Sequence, residues 1–317
     1  MSTFEVKTQT EIDALNLDPG AKGRAYFNDT TSSIIAWDGT NWRVYNPDTV
    51  TGWSGTNNYS LNFDGTDDYL TAASIVTPTA QQGTISAWVK STTSNFGPIF
   101  NISSNTDTHT GYWMGLQFSG IDAGKLEFGL RPNASDFIYY RSSNTYNDGN
   151  WHHVAVTSNE SSYKLFIDGA EDTGAATSGS SPSNVVGGWI DDMAVKNSCN
   201  IGAQRRNADK NNHYFNGNID ELAIWDSALT ADQIDNIYHG LSSTATQFDR
   251  DAVTAGDEAP GNLMSFSPKA WWSMGDGVEA NSGPTIYDMS SFSNDMTIVN
   301  AASGTNTAGA AYQLDTP

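Results

Sequence analysis

The sequence predicts an all-β protein dominated by two stacked antiparallel sheets, and three observations carry that expectation. The first is composition. Hydrophobic residues make up 38% of the 317 positions and Gly alone takes 29 of them, a mixture that suits many short strands joined by polar turns. The second is alternation. Ile85, Ala87 and Val89 interleave with Ser86, Trp88 and Lys90, the period-two pattern of a strand with one buried face. The third is a stretch with apolar residues on both parities: Ile219, Glu221, Ala223 and Trp225 alternate with Asp220, Leu222, Ile224 and Asp226. A strand apolar on both sides belongs inside a stack of layers rather than on a one-sided ribbon.

The chain divides into residues 1–50, 51–241 and 242–317. In the first part, residues 10–15 suit one or two helical turns ending at Pro19-Gly20. Three short strands follow at Arg24–Asn28, Ser33–Trp37 and Trp42–Tyr45, with Asp38-Gly39 as a turn. So small a unit buries little core by itself, and Phe27, Ile34, Ile35, Trp37, Trp42 and Tyr45 concentrate its apolar surface, so it calls for a partner. Residues 47–58 read as a linker.

In the second part, Tyr112–Phe118, Lys125–Leu130, Phe137–Arg141, His153–Thr157 and Tyr163–Ile167 read as antiparallel strands, with Asp168-Gly169 closing the last pair. Residues 171–199 are rich in Gly, Ser, Asp and Asn and read as a long loop. Thr230-x-x-Gln233 is a capping box, so a short helix carries Ile234, Ile237 and Tyr238 and stops at Gly240.

Four segments carry a family resemblance. "SLNFDGTDDYL" (60–70), "GTISAWVKS" (83–91), "WHHVAVTSNESSYKLFIDGA" (151–170) and "GNIDELAIWDSALTADQI" (217–234) stand in order over about residues 59–241. Together they resemble laminin-G-like domains of the concanavalin-A-like jelly-roll superfamily, which implies a two-sheet antiparallel jelly-roll sandwich. That superfold hosts lectins, adhesion modules, glycan hydrolases and structural domains alike. The segment "AWWSMGDGVEANSGPTIYDMSSFSNDMTIVNAA" (270–302) resembles the opening strands of such a domain, yet here it comes last. The resemblance implies a permuted order in which residues 242–317 supply strands either to their own sandwich or to a neighbour's; a truncated second domain is the other reading, though 76 residues with so few long apolar strands would hardly stand alone. The N-terminal pattern "G-x-A-Y-F-N-x-T-T…W-D-G-T-x-W" is similar to small β modules of bacteriophage fibres and other virion surface proteins; an ordinary three-stranded meander is the other reading.

Charge and motif content narrow the chemistry. A net charge of −21 leaves no basic footprint for nucleic acid or an anionic membrane. The acidity suits solubility in a salty medium, or some carboxylates bind a hard cation. Neither a signal peptide nor an apolar run long enough to span a membrane is visible, so synthesis in a cytoplasm without membrane insertion is expected. Cys199 is the single cysteine and has no resolving partner. His152 and His153 fall on opposite faces of a strand and cannot readily share one metal. Gly187-Gly188 lacks the lysine and strand–helix setting of a phosphate loop. The glucanases of this superfold use E-x-D-x-E to pair carboxylates along one strand, and the sequence has no such motif. No catalytic residues are therefore expected.

Two non-catalytic sites follow from the resemblance. A structural Ca²⁺ would use Asp220, Asp288 and a carbonyl near Gly65, although Asp220 alternatively caps a loop through backbone N–H groups. A glycan site would draw on Tyr112, Trp113 and Trp189, with Tyr139 and Tyr140 also available, although aromatics at strand spacing commonly pack in cores. The expectation that joins these features is a structural surface protein of a bacteriophage virion, a head decoration, head fibre or tail fibre displaying a lectin-like domain. It would contact other virion proteins and form a homo-oligomer, with a trimer favoured, through residues 1–50. A stand-alone carbohydrate-binding module is the alternative, and a glycan hydrolase the least favoured.

Overall fold

A computed structural model describes residues 5–7, 25–28, 33–37, 42–45, 60–72, 81–104, 110–116, 122–133, 135–181, 187–193, 195–207, 210–240, 263–274, 285–300 and 312–313. The helical turns expected at 10–15 and the 47–58 linker lie outside these residues. The chain forms two compact units, Met1–Thr56 and Asn57–Pro317.

In the first unit β1 (Glu5–Lys7), β2 (Ala25–Asn28), β3 (Ser33–Trp37) and β4 (Trp42–Tyr45) form one sheet in chain order. The β1–β2 pair is parallel and the two following pairs are antiparallel hairpins.

The second unit is an antiparallel sandwich. Its strands are β5 (Ser60–Asp64), β6 (Tyr69–Ala72), β7 (Gly83–Lys90), β8 (Gly97–Ser103), β9 (Gly111–Leu116), β10 (Lys125–Arg131) and β11 (Phe137–Thr145). These are followed by β12 (Trp151–Ser158), β13 (Tyr163–Ile167), β14 (Ala170–Glu171), β15 (Ala176–Ser181), β16 (Ser198–Ile201), β17 (Ala203–Asn207), β18 (Lys210–Tyr214) and β19 (Asn216–Trp225). Helix α1 (Ala231–Tyr238) comes next, then β20 (Ala270–Trp272), β21 (Thr285–Ile286), β22 (Met296–Val299) and β23 (Tyr312–Gln313). One sheet has nine strands, in the order β15-β11-β10-β9-β8-β16-β6-β22-β21. The other has eight, β14-β13-β12-β7-β19-β5-β23 with β20 also on β19. β17 and β18 make a separate hairpin.

Alternation sorts the side chains into layers. Ile85, Ala87, Val89, Val154, Val156, Leu165 and Ile219 of the eight-stranded sheet face Tyr112, Met114, Leu126, Phe128, Leu130 and Ile138 of the other, in one buried core. Each large core side chain removed from water contributes about 1.5–3 kcal/mol. A second apolar layer lies outside the eight-stranded sheet, where Trp88, Ala155, Phe166, Ala223 and Trp225 are buried together with Leu229, Ile234 and Ile237. Thr84 ties the approach to α1 to this sheet. Its hydroxyl donates to the Ser227 carbonyl (2.7 Å) and accepts from the Leu229 amide (2.9 Å). The capping box forms as expected, with Thr230 and Gln233 exchanging backbone-to-side-chain bonds at 2.9 and 3.3 Å. Gly240, at φ +66°, closes the helix.

Strands from the last quarter of the chain add to both sheets. β20 pairs with β19 beyond β5, β22 with β6, and β23 with β5.

Two sequence expectations change. Residues 171–199 do not form one loop: Ala176–Ser181 adds an edge strand to β11, and Ile190–Asp192 forms a 3₁₀ turn. "ATSGSS" lacks apolar alternation because edge pairing uses backbone groups alone. Strict alternation along β19 also fails. Its register against β7 shifts between Asp220 and Ala223, and Glu221 takes φ +48°. This bulge inserts one residue, so Ile219, Leu222 and Ile224 all reach the core.

Candidate functional site

The outer face of the nine-stranded sheet gathers the most chemistry. Because Tyr112, Met114, Leu126, Phe128, Leu130, Ile138 and Tyr140 turn toward the core, the intervening residues Trp113, Glu127, Gly129, Phe137, Tyr139 and Arg141 turn outward. The register sets Gly129 beside Trp113 on one side and Tyr139 on the other. The Trp113 indole lies flat over Gly129, where a Cβ would fall 2.1 Å from the ring. Its Nε1–H donates to Glu127 Oε1 at 3.0 Å, and Glu127 Oε2 accepts from Arg141 Nε at 2.7 Å. Arg141 Nη1 reaches Asp122 Oδ2 at 2.9 Å, and Lys125 Nζ reaches the other oxygen at 3.1 Å. The bond from Lys125, with the charges of Lys125 and Arg141, holds the Asp122 carboxyl below the usual carboxylate range against the opposing effect of burial.

Glu127 is buried at 2% exposure, a position a carboxylate tolerates only with matched donors. Its guanidinium and indole partners supply them. The aromatic part continues outward: the Tyr139 ring centroid lies 5.8 Å from Trp113 and 5.1 Å from Phe137. The Arg141 and Arg131 guanidinium carbons stand 5.9 and 5.7 Å from the Tyr139 and Phe137 centroids, within cation–π range. Phe137 and Tyr139 are half-buried, while Trp113, 7% exposed, supports them from below. The result is a pair of half-buried ring faces beside an ion-paired row, a surface that can stack against the apolar face of a ligand. Beside it, the β17 backbone crosses β8, with the Arg205 N–H donating to Asn101 Oδ1 at 3.0 Å.

The sequence candidates divide against this geometry. Trp113 belongs to the outer face. Tyr112 and Trp189 do not: both are 0% exposed, in edge contact at 5.1 Å, and Trp189 packs on Gly83. Neither presents a ring to a ligand, because both fill the space between the sheets. Burial, with a smaller contribution from Tyr163, pushes the Tyr112 hydroxyl well above its ordinary range.

The calcium set does not fit a hard cation. Asp288 Oδ1 accepts from the Trp271 and Ser290 amides, at 2.9 and 2.8 Å. Its Oδ2 accepts from Ser290 Oγ, Asn294 N and Asn294 Nδ2, at 2.8, 2.8 and 2.9 Å. An oxygen pair committed to five donors has no lone pair left for a metal that wants about six to eight oxygens. Asp288 is a loop cap. Asp220, at 0% exposure, accepts the Glu221 amide at 2.8 Å. Gly65, at φ +77°, sits in a turn where Asp64 Oδ1 accepts from the Thr66 and Asp67 amides. Carboxylates of Asp64, Asp67 and Asp68 lie within 4.8 Å of one another there.

The bulge also alters the relation of Asp220 to Glu221, which plain alternation would send to opposite faces. Both are buried, and Glu221 accepts the Trp271 indole N–H. They are closed to substrate by packing. Cys199 is buried and burial pushes its thiol upward, so it is inert.

Phe137, Glu127 and Arg141 escaped the sequence reading as ligand-site residues. The usable signal was the outward parity of Phe137-x-Tyr139-x-Arg141 beside the inward parity of Leu126-x-Phe128-x-Leu130.

The two stacked antiparallel sheets have the fold of the lectin-like jelly rolls. Residues 64–235 match the family model described as the concanavalin A-like lectin/glucanases superfamily, and the chain belongs to that family. No curated protein matches the sequence significantly. Among solved structures, a heptameric SAP-like pentraxin from Limulus polyphemus shares 22% identity, covering 57% of this chain and 82% of that one at a TM-score of 0.43. A Ruminococcus gnavus IT-sialidase CBM40 bound to α2,3-sialyllactose shares 16% over 58% and 99%, at 0.44. Domains LG4-5 of the mouse laminin α1 chain share 16% over 56% and 44%, at 0.41.

Proposed function

We propose that this protein is a non-catalytic, lectin-like surface subunit of a bacteriophage virion that recognises host glycans on the outer face of its nine-stranded sheet. The observation that carries the recognition reading is the Phe137–Tyr139 ring pair, backed by Trp113 and pinned through Glu127 to Arg141. Family membership supports it, since the superfamily is that of concanavalin A-like lectins and glucanases, both of which engage glycans. Absence of E-x-D-x-E from the sequence supports a binding role over hydrolysis. The virion setting rests on the N-terminal pattern resembling small phage β modules. There, residues 1–50 contact other virion proteins and build a homo-oligomer, with a trimer favoured, synthesised in the host cytoplasm and displayed on the particle.

A glycan array of host-surface polysaccharides tests recognition. Binding that Tyr139→Ala and Phe137→Ala abolish, while the melting temperature holds, is the expected result. Silence of the wild type on every glycan, or binding indifferent to both substitutions, overturns the site. Immunogold electron microscopy of particles tests the setting separately, and a protein confined to host cytoplasm would overturn it.

A further inference from the structure

The outer layer over the eight-stranded sheet holds an ionisable group that the recognition site does not use. His153, on β12, is 1% exposed, and neither ring nitrogen meets a hydrogen-bond partner among the described residues. Its ring lies 5.4 Å from Trp88 and 6.2 Å from Tyr238 of α1, and Trp88 and Tyr238 stack on each other at 5.4 Å. A neutral imidazole fits this aromatic box, whereas an imidazolium there loses its hydration with no acceptor in place of water.

We propose that His153 makes the docking of α1 acid-sensitive: one proton taken up by its imidazole releases the helix and uncovers Trp88.

The groups around it set the sign. From the β13–β14 turn, Asp168 is the anion that acts on the ring among the described residues, and both of its oxygens are engaged. Oδ1 accepts the backbone N–H of His153 itself and Oδ2 meets His152 Nδ1, each at 2.9 Å. From β7 come Trp88 and, at the strand end, Lys90, whose Nζ stands 6.0 Å from the Trp151 ring. From α1 come Tyr238 and Asp235, and the Nδ1 of His239, just past the helix, is 3.3 Å from Asp235 Oδ1. On its own strand His152 is held by Asp148 and Asp168. Burial therefore outweighs the pull of Asp168 and lowers the His153 pKa from 6.5 to about 4. The cation–π attraction of Trp88 and Tyr238 falls short of the lost hydration.

A helix of eight residues is marginal alone, so α1 holds its place by packing. With the undocked state at the ordinary 6.5 and the docked state at about 4, undocking becomes easier as pH falls below 6.5 and levels off below 4. By linkage the opening constant rises roughly 30-fold between pH 7.5 and 5. His152 does not follow this equilibrium, because its partners Asp148 and Asp168 are not on α1.

Hydrogen exchange measured by mass spectrometry on the full chain tests the proposal. Peptides covering 231–238 should lose protection by that factor from pH 7.5 to 5, after correction for intrinsic rates, while β9 and β10 stay protected. His153→Phe keeps an aromatic ring that cannot titrate, and it should flatten the response. A change below threefold in the wild type, or an undiminished response in His153→Phe, overturns the idea. Should that variant fold poorly, NMR titration of the wild-type histidines decides: a His153 resonance titrating near 6.5 with α1 still docked refutes it.

Discussion

Replacing Asp288 by Ala tests how the C-terminal segment is held to the sandwich. The loop carrying Asp288 stands against β20, and its carboxylate gathers five donors from Trp271, Ser290 and Asn294. Two of these have a second acceptor, since Ser290 Oγ and Asn294 Nδ2 also reach the Lys269 carbonyl at 3.1 and 2.9 Å. The backbone amides of Trp271, Ser290 and Asn294 supply three of the five bonds to the carboxylate. A hydrogen bond to a charged group contributes about 1.5–3 kcal/mol, and a buried orphaned donor costs about as much. Three amides in a site 2% exposed therefore make Asp288→Ala cost roughly 4–6 kcal/mol, reduced if water enters the space. For a domain of this size that lowers the melting temperature by roughly 10 °C or more.

Asp288→Asn should also lose stability, because its amide would point hydrogens at the Asn294 backbone N–H, which can only donate. Differential scanning calorimetry, with urea titration as a second measure, reads both variants. A loss under about 1 kcal/mol refutes the capping argument. So does a chelator that lowers the wild-type melting temperature but leaves Asp288→Ala unmoved, since that pattern would make Asp288 a metal ligand.

Two further outcomes follow. Gly129→Ala places a methyl against the Trp113 indole, so the ring must lift from the sheet and its bond to Glu127 must break. Glycan affinity should fall at least about tenfold, or ~1.4 kcal/mol, with a modest loss of stability; unchanged affinity by calorimetric titration would show that Trp113 does not support the site. His152 gains its bond to Asp168 and the charges of Asp168 and Asp148, which outweigh partial burial and raise its pKa. Stability from this group is full below the unfolded value near 6.5 and disappears as pH rises through the raised folded value. His152→Gln should therefore lower the melting temperature more at pH 6 than at pH 8.5, and equal losses at both would refute the assignment.

The reading of the candidate site shows why parity mattered more than residue type. Tyr139 and Tyr140 are adjacent and alike in sequence, yet Tyr140 packs against the core while Tyr139 faces outward. Trp113 and Trp189 are equally aromatic, yet one supports the outer face and the other plugs the core beside Gly83. The reason is register. A side chain's face depends on where bulges fall and which strand lies opposite, and those are long-range pairings that no local spacing records.

The β19 bulge is the clearest case. Taken alone, "GNIDELAIW" alternates without interruption, and only its pairing with β7 on one side, and with β5 and then β20 on the other, shows the inserted residue. The sequence by itself determined what local physics controls: the all-β class through period-two patterning, the Thr230–Gln233 capping box, the Gly240 stop, and the four ordered segments that announce the family. Tertiary structure alone decided that strands after residue 270 pair with β19 and β6, that Asp288 caps a loop, and that the outward ring pair is Phe137 and Tyr139. Each of these depends on partners far apart in the chain, and contacts formed against loop-closure entropy by many weak terms together are not encoded in any one stretch of it.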